Sequence, residues 1–465
     1  MTPRRRRAAR AWASRFALGL AVALASGACA PLPAPQSAAP PPGAAARPSE
    51  GERRAAAAEA PPAPPFRLDG EPAMEVGLTW DADTLTFAAV KGQLSWRPGR
   101  GHDRASGRGG MLRVSRAGGA AELRQDDDRS PALRLARGDT LWLGEPEDDA
   151  LPAEPQLVWA GKRWRGQGKV FVNTRGTLSL ALRLPLESYL LGVVPGEIGA
   201  LSDALLEAGR AQAVAARSYS LFYRGRRGDE GFDVYGSVED QVYGSVESER
   251  PLATRCVEST RGRLALYAGA PIRANYYSTC GGITADVWEA FPAQQLPYLQ
   301  SVRDSGVAGD FCARSPQYRW REQWEARDFL DTVARFAPPE GVPLPAGGLG
   351  ELVDVRVTQR SRSARVWRLE IETTTGVLTV PAYSMRRVLR RPGGNRAILR
   401  SDLFKIDVRR EPGSRRALAV VVTGAGSGHG VGLCQTGALG MAQSGRTGDE
   451  ILEHYYPGIT LRRMY

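Results

Sequence analysis

Glycine occupies every second position from Gly424 to Gly432, inside the run GAGSGHGVGLCQTGALGMA at 424–442. Alternation of this kind suits a strand or loop that another backbone, or a polymer, approaches closely. It is not a dinucleotide fingerprint, because GxGxxG needs glycine where this chain has His429, Val431 or Leu433. Nor is it a phosphate loop, because no GKS or GKT follows. His429 is one of three histidines in the chain. With glycine on both sides it has little local packing, and it reads as a site residue instead of a core imidazole.

A second segment, LPLESYLLGVVPGEI at 184–198, lies far away in sequence and carries Glu197 beside Pro195 and Gly196. Burial disfavours an ionised carboxylate and raises its pKa, which is how a general acid stays protonated near neutrality. The pattern predicts a short helix over 186–194 ended by Pro195-Gly196, then a helix from an N-cap at Ser202 to about Tyr223. On the second helix Arg210, Val214, Arg217 and Leu221 share one face. Its arginines need partners: a substrate carboxylate, a structural Asp or Glu, or Glu197 itself. For two-carboxylate chemistry the candidates beside Glu197 are Glu187, Asp240 and Glu289, and spacing does not choose among them. A Cys280–His429 nucleophile pair is rejected, since no orienting acid or amide is evident and Cys312 is available as a disulfide partner. Ser278 fails as a nucleophile because it sits in YYSTCGG and not in GxSxG.

Residues 1–29 read as a secretory signal peptide, with arginines at 4–7, 10 and 15 and an apolar run at 16–25. That run is too short to span a bilayer. Cys29 follows small residues and points to lipidation, although Ser26 stands where such sites usually carry leucine; cleavage near 28–30 without lipid is the alternative. Residues 30–65 are Pro/Ala-rich and too poor in large apolar residues for a core, so they form an extended disordered tether. Formal charge is +12, of which the leader arginines supply six, leaving +6 carried nearly all by arginine. This excess fits an anionic wall polymer. No zinc-finger spacing or basic helix supports nucleic-acid binding. Four cysteines remain in an oxidising compartment: Cys256, Cys280, Cys312 and Cys434. Cys280–Cys312 is the preferred disulfide, worth roughly 3–4 kcal/mol in the chain-entropy model. No cysteine has a histidine at zinc-ligand spacing, so no metal is expected.

Short alternating strands fill 66–168, including 74–80, 85–90, 111–115 and 141–143, with loops at 99–110 and 126–130. A hairpin is expected over 170–184, another over 264–278 around Ala268-Gly269, and a β segment over 353–380 followed by a helix near 384–390. A strand at 420–423 feeds the glycine run, and helices near 436–443 and 449–456 close the chain. The fold class is therefore α+β and β-rich. A β-rich N-terminal section at 66–168 precedes a catalytic domain at 169–465, which carries a β-rich insert at about 315–410.

Eight segments then occur in a recognisable order: LPLESYLLGVVPGEI, AQAVAARSYSL, DQVYGSV, ANYYSTCGGITADVW, PYLQSV, ILRSDLF, GHGVGLCQTGALGMA and ILEHYYPGITL. From roughly Met74 to Tyr465 the chain resembles the SpoIID/LytB family, the stage II sporulation protein D and amidase-enhancer proteins. The resemblance implies a peptidoglycan lytic transglycosylase that cleaves MurNAc-GlcNAc strands stripped of stem peptides. Glu197 matches its catalytic acid in VVPxE. Arg210 and Arg217 match basic positions of the following helix, the first usually lysine. With these, Gln241, Tyr243, Tyr277, Ser278, Gly281, Gly282, His429 and Gln435 are the expected substrate-binding residues. Sporulation members can carry Cys/His zinc ligands before QVY; this chain reads FDVYGSVEDQVYG there and has neither. No cofactor is implied.

A lytic transglycosylase needs one protein carboxyl, because the nucleophile is the 6-hydroxyl of the substrate. The opposing reading is a non-catalytic wall-binding enhancer of an N-acetylmuramoyl-L-alanine amidase, since family and fold do not fix activity. The partners expected are peptidoglycan strands and a cell-wall amidase, with contact to the membrane only through lipid at Cys29. The location expected is the cell envelope, outside the cytoplasm.

Overall fold

The computed structural model describes residues 66–99, 106–125, 133–144, 151–292 and 295–465. The leader, Cys29, the 30–65 tether, the 126–130 loop and half of the 99–110 loop lie outside the described residues. The architecture is mixed α+β and rich in strand.

The hairpin expected over 170–184 forms from Gln167–Val172 and Leu178–Pro185, antiparallel, with Val172 opposite Leu178. Its turn is held by Asn173, whose Oδ1 accepts from the Arg175 and Thr177 amides at 2.9 and 3.2 Å. Leu178 to Leu182 is buried without a break, the pattern of a strand covered on both faces. Ala73–Ala82 pairs antiparallel along its outer edge, and Val234–Tyr235 adds in parallel beyond that. Three further strands complete this sheet: Thr140–Leu143, Leu94–Pro98 and Gly107–Gly109 follow Gln167–Val172 in spatial order. A six-stranded sheet built on Thr84–Ala89 and Met111–Ala117 shares its core, where Phe87, Leu112 and Leu123 meet Leu141, Val170 and Leu180. The division drawn at 168 therefore falls inside a strand, and the two sides of it make one core.

Helix Leu206–Phe222 is buried on nearly every side. Its small residues, Ala208, Ala211, Ala213, Ala215 and Ala216, let helices Leu186–Ile198, Pro251–Ser259, Gln435–Gln443 and Gly448–Tyr455 approach it closely. Asp203–Leu205 forms a 3₁₀ turn ahead of it. Ser202 caps that turn without a side-chain hydrogen bond.

The second expected hairpin forms around Ala268-Gly269, but its returning strand is short. Arg263–Tyr267 pairs with Ala270–Pro271, the Ile272 amide donates to the Ala265 carbonyl, and the other edge of Arg263–Tyr267 takes Thr460–Arg463. Tyr276–Tyr277 instead joins Leu433–Cys434 in parallel. The insert has its own core, with Trp324, Phe329, Ile371, Met385 and Val422 at its centre. Strands Leu352–Arg360, Val366–Thr373 and Gly376–Pro381 form one of its sheets. Ala417–Ala425 is the middle strand of the other, between Arg319–Glu325 and Phe404–Arg410. The insert thus runs about fifteen residues beyond 410, because that sheet has no centre without Ala417–Ala425.

Candidate functional site

Helix Leu186–Ile198 does not stop at Pro195; it continues through the proline and ends at Gly199, whose φ is +77°. Glu197 therefore stands in the last turn of this helix, not in a linker. Residues 241–244 lie along the helix. The Gly244 amide donates to the Gly192 carbonyl at 3.1 Å, and the Val242 amide donates to Glu197 Oε1 at 2.8 Å. The approach requires glycine: a Cβ on Gly192 would sit 2.4 Å from the Gly244 oxygen. Glu197 Oε2 accepts from Gln435 Nε2 at 3.1 Å. Burial raises the Glu197 pKa, and these two hydrogen bonds, which favour the ionised form, only partly oppose it.

Gln435 opens helix Gln435–Gln443 directly after the Leu433–Cys434 strand. The glycine run brings that strand to the 275–280 segment. At Gly432 a Cβ would meet the Asn275 oxygen at 2.1 Å, and at Gly428 it would meet Tyr277 Cβ at 2.8 Å. Both glycines have positive φ, +75° and +114°. Close backbone approach, the reading given to the alternation, is what the run performs.

The result is a cleft of about 500 Å³ lined by Glu197, Tyr277, Ser278, His429 and Gln435, all singled out in the sequence. Both His429 nitrogens are committed. Nδ1 accepts from the Val431 amide at 3.1 Å, so Nε2 carries the proton and donates to the Tyr276 carbonyl at 3.1 Å. Burial, followed by the Arg386 charge, pushes its pKa down to about 3. His429 is thus a neutral ring packed 5.1 Å from Tyr277 and 5.2 Å from Phe291 between centroids, with no free nitrogen for proton transfer. Three buried polar atoms on the lining, Arg273 Nε, Asn275 Oδ1 and Tyr277 Oη, have no hydrogen-bond partner among the described residues. Orphans of this kind are costly unless a ligand or water engages them.

Other expected site residues lie elsewhere. Arg217 is fully buried and pairs bidentately with Glu187, Nε to Oε1 at 2.9 Å and Nη2 to Oε2 at 2.7 Å. Glu187 also accepts from the Gly262 amide and the Tyr465 hydroxyl. Burial alone would raise the Glu187 pKa, but the bonds and charge of Arg217 outweigh it and hold the carboxyl below the usual value. The structural-partner alternative holds for Arg217. Arg210 bonds Glu207 and Ser259 and lines a separate surface pocket. Gln241 and Tyr243 support the wall from behind. Gln241 is fully buried and donates to the Tyr276 hydroxyl at 2.8 Å, while the Tyr243 ring packs 5.0 Å from Tyr189. Gly281 and Gly282 abut Ala425 and Asp310, away from the lining.

Of the three candidate second carboxylates, Glu187 is engaged by Arg217 and Glu289 is buried on Ser361 and Ser363. Asp240 lines the cleft, but Arg226, Arg227 and the Tyr235 amide occupy its oxygens. The expected Cys280–Cys312 disulfide is corrected too: both thiols are free, their sulfurs 3.3 Å apart, well beyond a bond of about 2.05 Å. Sequence reasoning missed Arg273, Asn275, Tyr276, Phe291 and Arg386 on the lining. Of these, Asn275 and Tyr276 lie within the motif ANYYSTCGG. Arg386 comes from the insert helix Ala382–Val388, and nothing in its neighbourhood signals the cleft.

Comparison with known proteins adds a lineage. The family described as SpoIID: Stage II sporulation protein matches residues 174–267, and a domain of unknown function (DUF8618) matches residues 310–432. The chain is similar to an uncharacterized protein of Brachyspira hyodysenteriae, 28% identical over 299 residues, which cover 63% of this chain and 70% of that protein. It is similar to the stage II sporulation protein D of Bacillus subtilis, 29% identical over 290 residues, 59% of this chain and 74% of that one. It is also similar to the amidase enhancer of Bacillus subtilis, 27% identical over 315 residues, 58% of this chain and 40% of the enhancer.

Proposed function

We propose that this chain, which belongs to the SpoIID/LytB family, is a peptidoglycan lytic transglycosylase of the cell envelope with Glu197 as its single acid–base group. The observation that carries the reading is the state of Glu197: a carboxyl with a raised pKa, set in a cleft and held by two donors. In the protonated form Glu197 gives its proton to the glycosidic oxygen, and the bond from that oxygen to C1 of the muramyl residue breaks. The 6-hydroxyl oxygen of the same residue then bonds to C1, and the Glu197 carboxylate takes its proton. No water is consumed, and the product is a 1,6-anhydro-MurNAc end. The Val242 amide and the Gln435 side chain stabilise the carboxylate that forms between the two transfers. A nearby second carboxylate is unnecessary, which agrees with the engagement of Asp240 by arginines. Glu239, also on the lining, is exposed and bonded to the Ser237 hydroxyl.

A strand stripped of stem peptides carries a free lactyl carboxylate on each muramyl residue. Arg273 and Arg386 on the lining suit that anion, the first with its Nε unpartnered. General acid–base catalysis supplies about 10²–10⁴-fold, so the walls must contribute through positioning.

The likeness to the amidase enhancer favours a second reading, a wall-binding activator of an amidase that cleaves nothing itself. Mass spectrometry of peptide-free glycan strands, incubated with wild type and with Glu197→Gln, separates the two. Anhydro-muramyl ends from wild type alone support the transglycosylase. Binding without cleavage by either protein sinks it, and reducing ends would reassign the reaction to hydrolysis.

A further inference from the structure

Three cysteines and an aspartate from four separated segments converge on one point next to the cleft. They are Cys280, Asp304, Cys312 and Cys434, each fully buried, and one ligand atom from each lies within 4.8 Å of the others. Cys280 Sγ is 3.3 Å from Cys312 Sγ and 2.9 Å from Asp304 Oδ2. A tetrahedral ion with metal–sulfur bonds of about 2.3 Å sets its sulfurs roughly 3.8 Å apart, so the Cys280–Cys312 pair has to open by about half an ångström.

Backbone amides donate to two of the three sulfurs, while the Cys280 thiol itself donates to Asp304 Oδ2. The Gly282 amide points at Cys280 Sγ at 3.3 Å, and the Cys280 and Gly437 amides point at Cys434 Sγ at 3.1 and 3.3 Å. Cys434 is also the N-cap of helix Gln435–Gln443, where the helix dipole favours negative charge. Asp304 turns Oδ1 to the Tyr455 hydroxyl, leaving Oδ2 for the sulfurs. That outer bond has the form by which proteins orient a carboxylate ligand. Gly437 keeps the space open, since a Cβ there would lie 2.6 Å from Asp304 Oδ1. No lysine, arginine or histidine among the described residues pairs with Asp304 or bonds any of the sulfurs. Fully ionised, three thiolates and a carboxylate carry four negative charges; a divalent cation offsets two of them, and the amide donors act on the remainder. A disulfide between two of the three cysteines leaves the third unused, whereas an ion uses every member.

We propose that Cys280, Asp304, Cys312 and Cys434 bind one zinc-class divalent ion in a closed, structural site that fastens the two walls of the cleft. Thiolate-rich tetrahedral sets select zinc over the hard cations. With four protein ligands and full burial, no position remains for substrate. Cys280 lies two residues after Ser278 and Cys434 immediately before Gln435, so the ion holds the two segments that bear these cleft residues. The inference is independent of the reaction assigned to Glu197.

The test is elemental analysis of the full-length protein purified without chelator, with thiols counted after denaturation, followed by cobalt(II) substitution. The expected result is one zinc per chain and, after exchange, the visible bands of tetrahedral cobalt–thiolate coordination. Cys312→Ser and Asp304→Asn should lose the metal, while Cys256→Ser, at a buried cysteine bonded to the Leu206 carbonyl outside the cluster, keeps it. Folded wild type with no metal and no cobalt uptake overturns the proposal, as does a Cys280–Cys312 disulfide in metal-free native protein. Should the variants fail to fold, the cobalt spectrum of the wild type still decides.

Discussion

Replacing Gln435 by leucine removes one of the two donors to Glu197 while leaving a side chain of similar volume. The bond is 3.1 Å long and reaches only one carboxylate oxygen. A hydrogen bond to a charged group is worth about 1.5–3 kcal/mol, and 1.36 kcal/mol corresponds to one pKa unit. The length exceeds the 2.7–2.9 Å of strong charge-assisted bonds, so the lower end applies and the expected shift is about one unit. Its sign is fixed: the bond favours the ionised form, so its loss raises a pKa that burial has already raised. Glu197 begins the reaction protonated, so kcat/KM falls as pH rises through this pKa. In Gln435→Leu the falling limb should therefore move about one unit toward alkaline pH. Chromatography of anhydro-muramyl products across a pH series measures it. A limb that stays in place, or moves to lower pH, refutes either the Gln435 contact or the assignment of Glu197 as the acid.

Arg217→Met should destabilise the fold by about 3–5 kcal/mol by stranding Glu187 as a buried charge, and Arg217→Met/Glu187→Leu should recover most of the loss in urea titrations. His429 has a pKa of about 3 in the folded chain against 6.5 when unperturbed, so the unfolded state binds the extra proton between those values. Its contribution is present above 6.5 and is lost as pH falls toward 3, and His429→Gln should flatten the decline of the melting temperature over that range. Gly428→Ala places a methyl group 2.8 Å from Tyr277 Cβ at a backbone φ of +114°. We expect a loss of over 1 kcal/mol of stability and weaker glycan binding, read by denaturation and by sedimentation with glycan strands.

Local chemistry explains which of these features were legible. The hairpin at 167–185 follows from alternation and a Gly-containing turn, and the short helices near 384 and 449 follow from their periodicity. Glu197 and the alternating glycines stand out because few other arrangements need those residues together. Proline 195 misled because the rule that a proline ends a helix says nothing about a neighbouring chain, here 241–244, docking on the helix end. Arg217 was recognised as needing a partner, yet its distance from Glu187, thirty positions back, is invisible to helical spacing. The cysteine cluster was missed for the same reason. Zinc spacing rules look for ligands close in sequence, and these are separated by up to 154 positions.

Tyr276 and His429 are joined by a hydrogen bond at the cleft although 153 positions separate them. Most of that separation is the insert, and its first and last strands lie side by side, Arg319 opposite Ala425. Once the insert has folded on its own core, its entry and exit are neighbours, and the span left to close shrinks to roughly 50 positions, which lowers the entropic cost by about 1 kcal/mol. The insert thus acts as a stitch that shortens the thread. It brings the two halves of the site within reach before any contact between them has formed.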